Sequence, residues 1–345
     1  MKTTSLDSAP GSPVSSPKVS IVMSVYNGEK YIAAALRCMR EQTFKDYEFI
    51  IINDGSTDKS AELLDQAARN DPRIRVLHQS NTGLGPALHN GCALARGELI
   101  ARQDVDDLSQ PARIEKQVAY LAAHPKVVVC GTWALFVHET FGPQCRFCIP
   151  DNHAEMLRLL ESAQNPLIHG SIMMRREPYQ KTGYRLRAYC EEFDLWLRMT
   201  QYGELGTLES LEYHYLLTAG SMTSHASNIM AEMAALGLKL HQERKAGGSE
   251  ITNWQQEQER ILAAKPGKVP AEEREGADLF QCGLRSLKRG RYAEFRDLMG
   301  RVAALPCRHA RFAGFLTYAF PLSILRSLAL WRDRRRIGRH ITYDV

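Results

Sequence analysis

Aspartates crowd two short segments of the chain, NDGSTD at 53–58 and QDVDD at 103–107. Carboxylates brought close together repel unless a cation or hydrogen-bond donors occupy the space between them. A divalent cation is the economical occupant, because Mg2+ and Mn2+ favour carboxylate and phosphate oxygens, and Mg2+ commonly binds through one or two carboxylates plus substrate phosphates. The pattern therefore calls for Mg2+ or Mn2+ and a nucleotide diphosphate. Part of NDGSTD has a plainer explanation: Asp54-Gly55 makes a turn, and Ser56 or Asp58 caps the following helix. In QDVDD, Ser109 is expected to cap the helix that begins at Pro111. That leaves Asp104, Asp106 and Asp107, more acid than capping needs.

The segments that must position these aspartates alternate in character. VSIVMSV (19–25) is a continuous apolar run, as in a strand buried on both faces. It is followed by GEKYIAAALRCMREQ, with Tyr31, Ala35, Cys38 and Met39 at helical spacing. The unit repeats through strands at 47–53, 74–79, 98–103 and 126–132, with helices between them. Successive strand-helix units with short loops predict a mostly parallel sheet covered by helices on both faces. Such sheets bind ligands at the carboxyl ends of their strands. Tyr26, Asn27, Asn53, Asp54, Asp104, Asp106 and Asp107 all fall there. Beyond Thr132 the pattern predicts short strands or loops to Ile149, a helix near His153 to Glu161, a strand at 171–175 and a helix from Glu191.

The chain has 345 residues, 44% hydrophobic and 24% charged, which excludes fibrous and wholly unfolded classes. Its net charge is +5, but residues 301–345 carry nine Arg, no Lys and two Asp, a charge of +7, so the preceding 300 sum to −2. The main body is not basic, which argues against nucleic acid as a partner and for a local anionic partner of the tail. The eight cysteines are scattered and read as free thiols, including the lone pair Cys145 and Cys148. Residues 1–17 are rich in Ser, Pro and Thr without an apolar stretch, so they read as a disordered leader on a cytoplasmic protein.

The stretch from Val19 to Ser60, followed by NTGLGPALHNGCALARGELIARQDVDDLS, resembles the nucleotide-sugar-binding half of family 2 glycosyltransferases of GT-A fold, inverting enzymes of bacterial cell-surface glycan synthesis. The resemblance extends over about residues 18–225. It implies a GT-A type, Rossmann-like α/β fold: a mostly parallel sheet flanked by helices, with a mainly helical C-terminal extension. Carried over residue by residue, it implies that Ser24, Tyr26 and Asn27 line a uridine pocket and that Asp54 contacts the uracil. Asp104 and Asp106 match the DxD motif, with Asp104 toward the ribose and Asp106 on the metal. Asp107 stands behind them. Arg102 either reaches a phosphate or ribose or faces solvent on its strand.

CEEFDLWLRM (190–199) resembles the family's acidic pair followed by Asp-Leu-Trp, which places the catalytic base at Glu192, with Glu191 the other candidate because the family usually has Asp there. Asp194 reads as structural. His169, in NPLIHGSIMMRR, either lies near the donor sugar or is packed in the core. Leu216 and Thr218 stand where the family commonly has Arg and His, so His225 is the substitute metal ligand.

The organisation expected is a leader (1–17), a nucleotide-sugar-binding half (18–132), an acceptor-binding half (133–242), a linker (243–278) and a helical, basic C-terminal region (279–345). Within the last, residues 312–325 are uncharged and aromatic-rich beside an Arg cluster. They are too short to cross a bilayer, which takes ~20 apolar residues. Residues 306–345 therefore either rest on the inner face of the cell membrane as a peripheral anchor or pack on the catalytic domain or a dimer partner. The function expected is transfer from a UDP-sugar to a glycan or lipid-linked glycan acceptor, and the alternative is an inactive nucleotide-sugar-binding or scaffold protein of the same fold. A nicotinamide oxidoreductase is set aside, since Tyr26-Asn27-Gly28 lacks the GxGxxG turn.

Overall fold

The computed structural model describes residues 16–139, 142–185, 190–217, 227–247, 254–263, 279–280, 283–284, 287, 292–307, 313 and 341–342. The first half is built as the hydrophobic pattern requires. Strands β1 (Val19–Val25), β2 (Tyr47–Asp54), β3 (Ile74–Gln79) and β4 (Leu99–Arg102) alternate with helices α1 (Glu29–Arg40), α2 (Ser60–Asn70) and α3 (Leu84–Ala93). They pair in parallel in the order β4, β1, β2, β3. All eight residues of β2 are buried, so it can only be an interior strand with both faces covered.

Side-chain alternation splits the core into two layers. Ile21, Met23, Phe49 and Ile51 join Ile32, Ala35 and Met39 of α1 on one face. Val22, Ile50 and Ile52 join Ala87 and Leu88 of α3 on the other. Each such buried aliphatic side chain contributes about 1.5–3 kcal/mol over its exposed state. Close contact on the second face depends on Gly91, where a Cβ would stand 2.6 Å from Val22 Cγ1.

The second half adds β5 (Leu108–Ser109), α4 (Arg113–Ala123), β6 (Val127–His138), β7 (Gly142–Phe147), α5 (His153–Glu161), a 3-10 turn (His169–Ser171), β8 (Met173–Arg175), α6 (Arg176–Thr182), α7 (Glu191–Met199) and β9 (Glu204–Leu217). Strand β8 lies antiparallel between β4 and β6 and so joins the halves. Strand β6 also pairs with β7 and, in parallel, with β9. The result is the expected α/β fold, a mostly parallel sheet flanked by helices.

Helices α8 (Ser227–Lys245) and α9 (Trp254–Ala263) pack together through Ile229, Met233, Leu236, Leu240 and Ile261. The span 243–278, expected as a linker, instead holds the end of α8 and the whole of α9 among its described residues, because their apolar positions find one another. Helix α10 (Tyr292–Ala304) centres a further cluster that includes Leu279, Phe280, Leu284 and Phe295. Strand β10 (Ile341–Thr342) pairs with β7, and most of the anchor candidate 306–345 lies outside the described residues. Among the described residues no helix is long and apolar enough to cross a membrane. Ser109 does not cap α4: its hydroxyl donates to Gln103 Oε1 at 2.6 Å, and the helix starts from Ala112 without a side-chain cap.

Candidate active site

The end of β1 is fixed by the loop that follows β2. Asn27 takes a left-handed backbone conformation, φ +50°, which Asn tolerates better than most residues. Its N–H donates to Ser56 Oγ at 3.0 Å, and its Oδ1 accepts from Thr57 N at 2.8 Å. Gly28 N donates to Ser60 Oγ and Glu29 N to Asp58 Oδ2, at 2.9 and 3.0 Å. Ser56 thus tethers the first loop instead of capping α2, while Asp58 also accepts from Ser60 N at 3.0 Å. Half-buried Ser24 and the Tyr26 ring, 53% exposed, are left at the strand mouth.

Asp54 does not join the other aspartates. It ends β2, two strands from β4 and so roughly 10 Å away at ~4.8 Å per strand. Its Oδ1 accepts from Gln79 Nε2 (2.8 Å) and Thr82 N (2.9 Å), and its Oδ2 from Gly83 N (3.0 Å). Hydrogen-bond donors, not a cation, neutralise this carboxylate, and they shape the loop before α3.

The QDVDD turn keeps its acids together. Buried Gln103 donates from Nε2 to the main-chain oxygens of Asp104 (2.8 Å) and Asp107 (2.9 Å) and so holds the turn closed. Burial and the Asp104 carboxylate push Asp106 up to about 6. Burial, then Asp104 and Asp106, drives Asp107 well above the carboxylate range. Asp107 Oδ1 accepts from Leu216 N at 2.7 Å, whereas its buried Oδ2 has no hydrogen-bond partner among the described residues. Carboxylates that raise one another, one of them with a buried oxygen unpaired among the described residues, suit a hard divalent cation, so these residues fit Mg2+ or Mn2+.

Arg102 is 3% exposed and pairs with Asp104, which removes the solvent-facing alternative. Its Nε has no hydrogen-bond partner among the described residues. Below it, buried Arg113 donates from Nη1 to Gly170 O and from Nη2 to Arg102 O, both at 2.9 Å, and faces the Tyr213 ring. Tyr213 Oη in turn accepts from Asp104 N at 3.3 Å.

The second acidic centre opens α7. Burial and the neighbouring Glu192 push Glu191 up to about 8, and burial also raises Glu192, whose Oε1 accepts from Asn165 Nδ2 at 3.0 Å. His169 Nδ1 lies 3.9 Å from one oxygen of each. These three residues form the one group among the described residues with three potential cation donors within 4.8 Å of one another; such a set can equally share a proton. Burial, then Arg102, holds the imidazole neutral, well below its ordinary range. Asp194 is structural: burial pushes its pKa up, but Arg198 and Arg185 hold it below the usual value, with Arg198 Nε and Arg185 Nε both at 2.8 Å from Oδ2.

The two centres meet at one dipeptide. His169 faces the glutamates, while a Cβ on the next residue, Gly170, would stand 2.6 Å from Asp104 Oδ2. Expected site residues Arg102, Asp104, Asp106, His169, Glu191 and Glu192 are thus gathered, Ser24, Tyr26, Asn27 and Asp54 lie along the same strand mouth, and His225 lies outside the described residues. Sequence reading missed Arg113, Asn165, Gly170, Tyr184 and Tyr213. None of these is set apart by its neighbours in sequence; the helix that carries Arg113 also carries Glu115 and Lys116.

The Glycosyl transferase family 2 profile matches residues 20–183. EpsE of Bacillus subtilis (strain 168), whose name places it among the glycosyltransferases, is 36% identical over 198 residues, 56% of this chain and 70% of that protein. The amylovoran biosynthesis glycosyltransferase AmsE of Erwinia amylovora is 29% identical over 188 residues, 53% of this chain and 70% of its own. The crystal structure of S. aureus TarS 1-349 in complex with UDP superposes with a TM-score of 0.53 at 16% identity, covering 92% of this chain and 91% of that one. The mannosyltransferase PcManGT from Pyrobaculum calidifontis, in complex with GDP-Man and Mn2+, gives 0.50 at 15%, covering 97% and 91%. At these identities the structural likeness is one of fold.

Proposed function

The chain belongs to glycosyltransferase family 2, and from that premise we propose that it transfers a sugar, with inversion, from a UDP-sugar to a hydroxyl of a glycan or lipid-linked glycan during synthesis of a cell-surface polysaccharide or lipopolysaccharide. The meeting of two acidic centres at His169-Gly170 carries this reading. One centre suits a diphosphate and its counter-ion; the other suits proton removal. The name of AmsE supports a polysaccharide product, and the UDP bound by TarS supports the donor.

An acceptor hydroxyl is a poor nucleophile at neutral pH, so a carboxylate must take its proton as it attacks the anomeric carbon. Glu192 is assigned that task and Glu191 is the alternate. Attack from the face opposite the nucleotide inverts the anomeric centre, and no covalent intermediate is required. Asp106 would hold Mg2+ or Mn2+, whose positive charge would offset the charge gained by the departing diphosphate. Ser24, Tyr26 and Asn27 bind the uridine, with the exposed Tyr26 ring free to stack on the base, and Asp54 shapes the wall of that pocket through Thr82 and Gly83. Arg102 keeps Asp104 oriented toward the ribose. In this reading the enzyme works on the cytoplasmic face of the membrane, held there by residues 306–345.

The test is Glu192→Gln, which removes the charge with little change in volume. UDP-sugar binding should persist while transfer, measured as UDP release with a panel of acceptors, falls by about 10²–10⁴. Transfer at the parental rate would remove Glu192 from the role.

A further inference from the structure

His169 is held on both sides of its ring. Its edge meets Trp196 at 5.9 Å between centroids, and it tilts against Tyr184 at 5.7 Å. Nε2 lies 2.7 Å from Tyr184 Oη, and Nδ1 lies 3.9 Å from both Glu191 Oε1 and Glu192 Oε2. A neutral imidazole has one N–H and one lone pair, so two arrangements compete. With the proton on Nε2, the buried Tyr184 hydroxyl proton has no acceptor among the described residues, and the Nδ1 lone pair points at two carboxylates. With the proton on Nδ1, Tyr184 donates to Nε2 and the remaining N–H points at the acids. The second arrangement gives the buried Tyr184 hydroxyl an acceptor and turns the remaining N–H toward the acids, an electrostatic attraction at 3.9 Å rather than a made hydrogen bond.

The glutamates are unequal toward that N–H. Glu192 already accepts from Asn165 Nδ2 at 3.0 Å, a side-chain donor that Glu191 lacks among the described residues. Arg102 and Asp104, the charged groups facing the pair from β4 and the turn after it, act on both carboxylates in the same sense and do not sort them. Cys190, at the start of α7, is a thiol that burial and both glutamates keep protonated. Two donors converging on one carboxylate favour its ionised form and leave the proton to its neighbour.

We propose that His169 is a positioning residue for the base: Tyr184 fixes its Nδ1–H tautomer, and that N–H closes on ionised Glu192 while Glu191 retains its proton. The 3.9 Å separation is too long for a hydrogen bond, and contacts of this kind commonly tighten only when substrate is bound. The inference rests on the reading of Glu192 as the base, but its test does not use transfer.

The test is imidazole 15N NMR of the full chain labelled at histidine, with the His169 signals identified by their loss in His169→Asn. The expected spectrum shows Nδ1 protonated and Nε2 unprotonated between pH 6 and 8, and Tyr184→Phe moves the proton partly or wholly to Nε2. A parent spectrum with Nε2 protonated, or one that Tyr184→Phe leaves unchanged, overturns the proposal. Carboxyl 13C titration of glutamate-labelled protein gives the second readout. The signal that stays protonated to higher pH should vanish in Glu191→Gln, and His169→Leu should raise the Glu192 midpoint by about one pH unit. His169→Asn, which keeps an N–H near the Nδ1 position, should restore it. Loss of the high-midpoint signal in Glu192→Gln instead overturns the assignment. Because donor and acceptor are absent from these measurements, failure here and failure of Glu192 as the base give different results.

Discussion

Asp106 and Glu191 show how the same burial can serve two purposes. Both carboxyls are raised by burial and a neighbouring acid, but Asp106 belongs to a turn whose third acid has a buried oxygen unpaired among the described residues, whereas Glu191 faces a neutral imidazole. A cation would relieve the first repulsion; a retained proton relieves the second. Asp106→Asn should therefore lower Mn2+-dependent UDP release by on the order of 10²-fold while leaving the melting temperature without metal unchanged or higher, since a repelled charge is removed. Glu191 sets a pH dependence of stability. Its folded value of about 8 exceeds the unfolded one, so the stability tied to its proton is complete below about pH 4 and is lost as pH rises toward 8. Glu191→Gln should flatten the fall in melting temperature between pH 5 and 8, and an unchanged slope would count against a protonated Glu191. The aspartates were legible in the sequence because they cluster at strand ends, and the glutamates because CEEFDLWLRM resembles the family's acidic segment. Most of the partners that tune them were not, because Asn165, Tyr184 and Tyr213 acquire meaning only when distant segments fold onto one another.

At the scale of elements, the 3-10 turn His169–Ser171 is held by contacts that leave no room for a side chain. A methyl on Gly170 would meet Tyr213 Oη at 2.0 Å as well as Asp104 Oδ2, and Tyr213 is fully buried and cannot yield. Gly170→Ala should cost about 1–3 kcal/mol in urea titrations and weaken Mn2+ binding, and Tyr213→Phe should restore part of the stability lost. Helix α7 is anchored differently, by Asp194 between two arginines. Asp194→Ala should cost about 3–5 kcal/mol by stranding buried positive charge. Its native pKa is depressed, so that stabilisation is present above about pH 4 and lost as pH falls further, which acid titration of parent and variant would reveal as a difference. The strands and helices of the first half were readable because apolar runs and helical spacing repeat without interruption. Helix α9 was not, since Gly, Pro and charged residues on either side of it hide a short apolar stripe that only α8 makes useful. Ser109 misled for a related reason: its hydroxyl had a better partner in Gln103, six residues earlier.

For the whole molecule, charge and connectivity matter more than any one contact. The positive excess lies in residues 301–345, so the full chain should co-sediment with anionic vesicles, and removal of residues 306–345 should abolish this at moderate salt. Equal sedimentation of both forms would argue against a membrane role for the tail. Strand β6 has the opposite effect to a hinge. It is hydrogen-bonded to β7, β8 and β9, and β8 in turn to β4, so the first and second halves of the sheet share one continuous ladder. Swinging them apart would tear that ladder along its length. Substrates must therefore enter and leave past the connections at the strand mouth, and heat should melt both halves in a single cooperative step.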